Sequence, residues 1–188
     1  MVRVFLIGVL ALVALALVAV NLPDRARPHQ EAGTGNGGSL SRERFEGLWE
    51  GTLTIFRPDG QVEQSSEESR LFRRVAAGER ALAITRLLPG GGSEELSGSE
   101  VEAPGGDLKR RIQKPGGGTA VSTGRRVGAA IFWHRQDPVS GLRETLREEI
   151  VATPGGDLYT LDGARATGPG GQLLILEGRY RRADRTPR

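Results

Sequence analysis

The stretch "GLWEGTLTIFRPDG", residues 47–60, decides the fold, because its residues first alternate in type and then form a turn signal. Every second residue from Trp49 to Ile55 is apolar or glycine, and the residues between them are polar. Such alternation is typical of a strand that buries one face. The following Pro58 presets the first corner of a tight turn, and Gly60 accepts a positive φ. This stretch therefore predicts a β-strand that ends in a hairpin.

The same turn chemistry recurs along the chain. Pro-Gly-Gly occurs at residues 89–91, 104–106, 115–117, 154–156 and 169–171. Several of these turn signals follow one another at intervals that suit short strands and are too short for a helical repeat. The segments between them are rich in residues that favour strands, and the chain is therefore predicted to be an all-β meander.

Two segments, residues 65–78 and 141–152, also fit a helix, because apolar residues recur in them at every fourth position. We interpret both as strands because they lie between hairpin turns. A short helical turn is expected around "SRERF", residues 41–45.

About nine antiparallel strands are expected in a globular domain that spans residues 43–183. An open sheet of this size leaves two unpaired edges, which promote aggregation. A closed barrel removes both edges. The sequence therefore favours an antiparallel barrel, with a two-sheet sandwich as the alternative.

The sequence of the N-terminal segment predicts that the protein is located at a membrane. Residues 4–20 contain no charged or strongly polar side chain, and a helix of that length spans about 25 Å, close to the thickness of a bilayer core. We interpret residues 1–22 as a transmembrane or signal-anchor helix, with a cleaved signal peptide as the alternative. A flexible Gly/Pro-rich linker is predicted over residues 23–42 and a basic tail over residues 184–188. The expected location is the cytoplasmic (inner) membrane, single-pass, with the barrel on the periplasmic side.

The composition excludes several kinds of functional site. The chain has no cysteine, which excludes disulfides and thiolate metal sites. Its arginines are interleaved with glutamates, which predicts a mixed-charge solvated surface and no nucleic-acid partner. No catalytic or metal-binding pattern stands out, so no enzyme and no metal site are expected. The strand carboxylates are expected to lie solvated on outer faces: Glu67, Glu68, Glu94, Glu95, Glu144, Glu148 and Glu149.

Gly47-Leu48-Trp49 resembles the Gly-x-Trp motif that opens the first strand of lipocalin-like (calycin) barrels. The resemblance implies that Trp49 packs at a closed end of the barrel, under an arginine of the last strand. The candidates are Arg179, Arg181 and Arg182, and alternation along the strand favours Arg182. The implied barrel-closing pair is therefore Trp49 and Arg182.

The stretch "IFWHRQ", residues 131–136, gathers aromatic and titratable groups. Alternation puts Phe132 and His134 on one face and Trp133 on the other. The candidate ligand-binding residues are Trp49, Phe132, Trp133 and His134. No cofactor is expected, although His134 can ligate heme iron if it points into a cavity. The alternative is a half-exposed histidine beside a core tryptophan.

Two functions follow from this interpretation. The first is a membrane-tethered barrel that holds a small apolar or amphipathic ligand in its interior. The alternative is a structural or interaction module that docks onto a membrane protein complex, with a barrel filled by its own side chains.

Overall fold

The computed structural model describes residues 42–168 and 170–183. The predicted membrane helix, the linker up to residue 41 and the basic tail lie outside the described residues. Within the described ranges, no helix is both long enough and apolar enough to cross a bilayer. The predicted helical turn is present as a short 3-10 helix, Arg42–Phe45.

In the described part of the chain, ten strands follow this turn. Their bounds are β1 Gly47–Phe56, β2 Val62–Ala76, β3 Glu79–Leu87, β4 Ser93–Glu102, β5 Asp107–Gln113, β6 Thr119–Val127, β7 Ala130–Gln136, β8 Arg143–Thr153, β9 Gly156–Ala166 and β10 Leu173–Arg182. The two segments that also fit a helix form β2 and β8, so their interpretation as strands is confirmed.

The strands form one closed antiparallel barrel, in which each strand pairs with its neighbours in sequence and β1 pairs with β10. The barrel prediction is confirmed, and the sandwich alternative is wrong. Because every strand has a hydrogen-bonded neighbour on both sides, no sheet edge is left open within residues 42–168 and 170–183. This part of the chain is therefore a complete folding unit.

The count of about nine strands was one too low. Strands β4 and β6 carry little apolar signal, because their inward positions hold small or charged residues such as Gly98, Glu100 and Gly124. Their hydrogen-bonded neighbours, and not an apolar face, define them as strands.

The two ends of the barrel differ. At the end where β1 begins, the 3-10 turn lies across the opening, and we call this the closed end. At the other end, which we call the mouth, β1 leads into the turn at residues 57–61.

Five aromatic rings fill the closed end: Phe45, Trp49, Phe72, Tyr159 and Tyr180. The Tyr159 ring packs edge-on against three of the others at centroid distances of 5.7 to 5.9 Å, and it stacks on Tyr180 at 5.0 Å. The Trp49 indole N–H donates to the Phe45 carbonyl oxygen at 2.7 Å. The 3-10 turn is thus anchored as a plug by its own phenylalanine.

A glycine in the barrel wall makes room for the second tryptophan. A β-carbon at Gly124 would lie 2.5 Å from the Trp133 ring, which is too close for any real contact. We expect Gly124→Ala to lower the free energy of unfolding by about 1–3 kcal/mol through overpacking, measured by urea denaturation. The control is Ser122→Ala, two residues earlier on the same inward face, for which a change within about 0.5 kcal/mol is expected. Equal losses in both variants would contradict this account.

Candidate functional site

The barrel interior is charged, contrary to expectation. Among the residues that the structure describes, eight charged side chains are buried: Arg42, Arg70, Arg80, Arg110, Glu68, Glu100, Glu144 and Glu148. The prediction that Glu68, Glu144 and Glu148 are solvated on outer faces is therefore wrong, and Glu94 also lies on an inward face, that of β4. The reason is the alternation itself, since Glu144 and Glu148 share the inward face of β8 with Ile150.

Arg110 lies at the centre of this network. Its two terminal nitrogens donate to the two carboxylate oxygens of Glu148, at 2.8 and 2.6 Å, and its Nε donates to Glu100 at 2.7 Å. The guanidinium carbon lies 4.0 Å from the Trp133 ring centroid, and the Trp133 indole N–H donates to Glu148 at 2.9 Å. A buried ion pair with this many additional hydrogen bonds can offset its desolvation.

The network continues toward the closed end. Glu100 also accepts a hydrogen bond from Arg80 Nε at 2.9 Å, and Arg80 donates to the Arg42 carbonyl oxygen at 3.1 Å. Arg42 in turn donates to the Gly78 carbonyl oxygen at 3.0 Å. The charged interior therefore holds the 3-10 plug in place.

On β2, two strands away from Glu100, Glu68 is a second buried carboxylate of the network. It forms an ion pair with Arg70 and accepts a hydrogen bond from the Tyr180 hydroxyl at 3.1 Å. Arg70 donates to the Tyr159 hydroxyl oxygen at 3.0 Å. The aromatic cluster and the ionic network are thus one connected structure.

These contacts fix the protonation states. Burial opposes ionisation of Glu148, but Arg110, Arg70 and the Trp133 N–H outweigh it and lower its pKa to about 2. Burial likewise opposes ionisation of Glu100, and Arg110 and Arg80 lower its pKa below the ordinary value. Burial raises the pKa of the Tyr159 hydroxyl well above its ordinary value. At neutral pH both carboxylates are therefore charged, and Tyr159 is protonated.

A second set of charged groups surrounds the mouth. This mouth ring consists of Arg86, Glu94, Arg135, Glu144 and Arg165. Arg165 Nε donates to Glu144 at 2.7 Å, and Arg86 donates to Glu94 at 3.1 Å. Inside the ring, the apolar side chains are partly exposed and pack against the core: Leu96, Ile112 and Leu146.

The structure brings Trp49 and Arg182 together. The Arg182 guanidinium lies 4.5 Å from the Trp49 ring centroid and donates to the carbonyl oxygens of Glu46 at 2.6 Å and Arg44 at 2.8 Å. The last strand is thereby tied to the segment that leads into the first. Of the other two candidates, Arg179 bonds Asp162 at 2.7 Å.

Comparison with solved structures finds the same architecture. The S-type phycobiliprotein lyase CpeS from Guillardia theta superposes with a TM-score of 0.60 at 15% identity, over 79% of this chain and 96% of that chain. Rv2717c from M. tuberculosis superposes with a TM-score of 0.54 at 15% identity, over 74% of this chain and 92% of that chain. The fold is a calycin-like β-barrel. Comparison with protein-family models gives no match, and comparison with curated proteins gives none.

The four predicted ligand-binding residues occupy three different places in the calycin-like barrel. Trp49 packs in the closed end, and Trp133 lies at the centre of the ionic network. Phe132 and His134 lie on the outer wall beside an open hollow of about 510 Å³. Because His134 faces outward, it does not point into the barrel interior. Among the described residues, no group of three or more potential ligands forms a metal site.

Sequence reasoning missed the interior arginines and the mouth ring of this calycin-like barrel. A signal was present in "ETLREEI", residues 144–150, where alternation places two glutamates in line with leucine and isoleucine. The same holds for Arg110, which lies between Leu108 and Ile112 on the inward face of β5.

Proposed function

We propose that the protein is a membrane-tethered binding module of the cell envelope whose barrel takes a small amphipathic ligand with an anionic group at its mouth. The observation that carries the proposal is the mouth ring, in which charged side chains surround partly exposed apolar ones. The membrane tether and the envelope location are supported by the apolar sequence of residues 4–20.

The ligand is restricted to the mouth because the barrel axis is filled below it. Tyr159, Leu161, Glu100 and Glu148 are all less than 2% exposed. The proposal of a ligand held inside the barrel therefore applies to the mouth end and not to this lower part. An apolar chain that enters from the mouth meets the ionic network after a short distance, which limits the size of the ligand.

The charge of the mouth ring selects the ligand class. Arg86 donates to Glu68 as well as to Glu94, and Arg165 donates to Glu144, so Arg135 is the arginine of the ring with the weakest acidic partner. The contact between Arg135 and Glu144 is 3.7 Å, which is an ion pair and too long for a hydrogen bond. The N–H groups of Arg135 are thus available to a carboxylate, sulfonate or phosphate of a ligand, which Arg binds in a fork geometry.

We propose no catalytic step. In the described residues, His134 is the one histidine, and its register partners across the sheet are Thr123 and Thr145, on the outer wall. This histidine therefore lies outside the barrel and does not face the mouth ring, where the proposed ligand binds.

The mouth is tested with a matched pair of probes, a dansyl-labelled fatty acid and its neutral methyl ester. We expect Arg135→Gln to weaken binding of the acid by about tenfold and to leave the ester unchanged, because only the acid uses the guanidinium. Fluorescence titration measures both affinities. The control is Arg147→Gln, which makes the same change on the outward face of β8 and should alter neither affinity.

Failure of the parent protein to bind either probe would overturn the proposal. In that case the second candidate function gains support, a structural module that docks onto a membrane protein complex. The filled lower interior favours that function, because side chains and not a cavity occupy the barrel axis.

A further inference from the structure

We propose that one outer wall of the barrel, formed by β5–β8, is a docking face for an anionic phospholipid bilayer. We call this face the basic wall. Its outward cations are Lys109, Arg111, Arg125, Arg143 and Arg147.

The outward charges of the barrel are segregated. Against its five cations, the strands of the basic wall carry two outward acids, Asp107 and Glu149. The strands β1–β4 show the reverse, with one outward cation, Arg73, against five outward acids. These acids are Glu50, Glu63, Glu67, Glu79 and Glu95. The order of strands around the barrel places β7 opposite β2, so the two charge sets face in opposite directions. The predicted mixed-charge surface is therefore divided into an acidic side and a basic side.

Much of the positive charge on the basic wall is not neutralised. Within the described part of the chain, Lys109, Arg111 and Arg143 have no acidic partner within 4.0 Å. Arg125 and Asp107 are 3.8 Å apart, and both side chains are more than 70% exposed. Cations with this exposure act together on a charged surface that approaches them.

An exposed aromatic ring stands in the middle of the basic wall. Phe132 is 45% exposed, and its register partners on the neighbouring strands are Arg125 and Arg147. Val121 is 41% and Val127 58% exposed on the same wall. Exposed apolar side chains between cations are the pattern of a surface that inserts shallowly among lipid headgroups.

A hollow beside Phe132 offers space for a headgroup. Its volume is about 510 Å³, and its polar lining consists of Asp107, Lys109, Thr123, Arg125 and His134, with Asp107 paired to Arg125. Lys109, Thr123 and His134 lie side by side on three successive strands. A phosphate in this hollow would face the Lys109 ammonium and the His134 imidazole.

A bilayer fits these features better than a nucleic acid does. The chain enters the barrel at the closed end, where Arg42 donates to the Gly78 carbonyl oxygen, and the turn at residues 103–106 that borders the hollow lies at the same end. The predicted membrane segment precedes this entry point in the sequence. The membrane tether is part of the proposed function. The basic wall is tested on residues 42–183, which do not include that segment.

The test uses residues 42–183, which form a complete barrel, and measures sedimentation with vesicles. We expect binding to phosphatidylcholine vesicles that contain one third phosphatidylglycerol, and none to vesicles of phosphatidylcholine alone. The triple variant Lys109→Gln, Arg111→Gln, Arg143→Gln should weaken partitioning by about 100-fold, since each cation near an anionic surface contributes about fivefold. Phe132→Ser should weaken it several-fold without a change in charge.

The matched control is the triple variant Arg73→Gln, Arg179→Gln, Arg181→Gln, which removes the same charge from exposed outward positions on β2 and β10. We expect it to weaken partitioning by less than about fivefold. Equal losses in the two triple variants would show attraction by net charge alone and overturn the proposal. Binding of a duplex oligonucleotide in place of anionic vesicles would overturn it in favour of a nucleic-acid partner. Neither variant alters the mouth ring, so failure here leaves the probe experiment on the mouth unaffected.

Discussion

Arg110→Met is expected to lower the free energy of unfolding by about 3–5 kcal/mol. The substitution keeps an apolar stem of similar length but leaves Glu148 and Glu100 buried without their shared cation. Both carboxylates are fully or almost fully buried, so water cannot replace the lost hydrogen bonds. Urea denaturation followed by tryptophan fluorescence measures the change, because Trp133 lies against the guanidinium.

The control is Arg57→Met, which breaks the ion pair of Arg57 with Glu63 at the turn after β1, where both side chains are solvent-exposed. Exposed pairs contribute about 0–1 kcal/mol. If the Arg110 variant does not fold, Arg110→Met combined with Glu148→Gln tests the same point, because the new amide carries no charge and can still accept the Trp133 hydrogen bond. Recovery of stability in the double variant is expected. A double variant that is less stable than Arg110→Met alone would contradict the argument.

Acid is expected to destabilise the barrel over a defined range of pH. The pKa of Glu148 is about 2 in the folded protein and about 4.3 in an unfolded chain. A depressed pKa in the folded state contributes stability above the unfolded value, and that contribution is lost as the pH falls toward the folded value. The difference corresponds to about 3 kcal/mol from Glu148 alone. The pKa values of Glu100 and Glu68 are also lowered in the folded protein. Protonation of these two carboxylates therefore also lowers the free energy of unfolding as the pH falls.

The measurement is the free energy of unfolding between pH 7 and pH 2 for the parent protein and for Glu148→Gln. The parent should lose stability steeply below about pH 4.5, and the variant should start lower and lose less. Glu67→Gln, an outward neighbour of Glu68 on β2, should follow the parent curve. Parallel curves for the parent and Glu148→Gln would show that Glu148 is not the group whose protonation matters.

The outline of the fold could be predicted from local chemistry. Proline and glycine at the corners preset the turn geometry, and period-two alternation in β1 identified its buried face correctly through Trp49, Leu53 and Ile55. The resemblance through Gly47-Leu48-Trp49 also led to Arg182, which the structure places over the Trp49 ring. These features depend on residues that are close in sequence or lie at the two ends of the domain.

The paired charges that fill the barrel interior could not be predicted from local chemistry. Alternation places Glu144 and Glu148 in line with apolar residues of β8, but the sequence contains no local sign of which arginine from another strand will neutralise them. Glu148 lies 38 residues from Arg110 in the chain, yet the two share a bidentate ion pair. Phe132 and His134 are a different case. They were assigned to one possible ligand site with Trp133, although adjacent residues of a strand point to opposite sides of the wall.

By itself, the sequence determined the all-β class, the antiparallel order of the hairpins and the face of β1 that is buried, because turns and alternation are set by each residue and its near neighbours. Only the tertiary structure decided that the buried faces of β2, β5 and β8 carry paired charges, and that the outward cations gather on one wall. Both features depend on which strands become neighbours around the closed barrel. That arrangement follows from closure of the barrel, in which β1 pairs with β10 and strands that are not hydrogen-bonded to each other, such as β5 and β8, face one another across the interior.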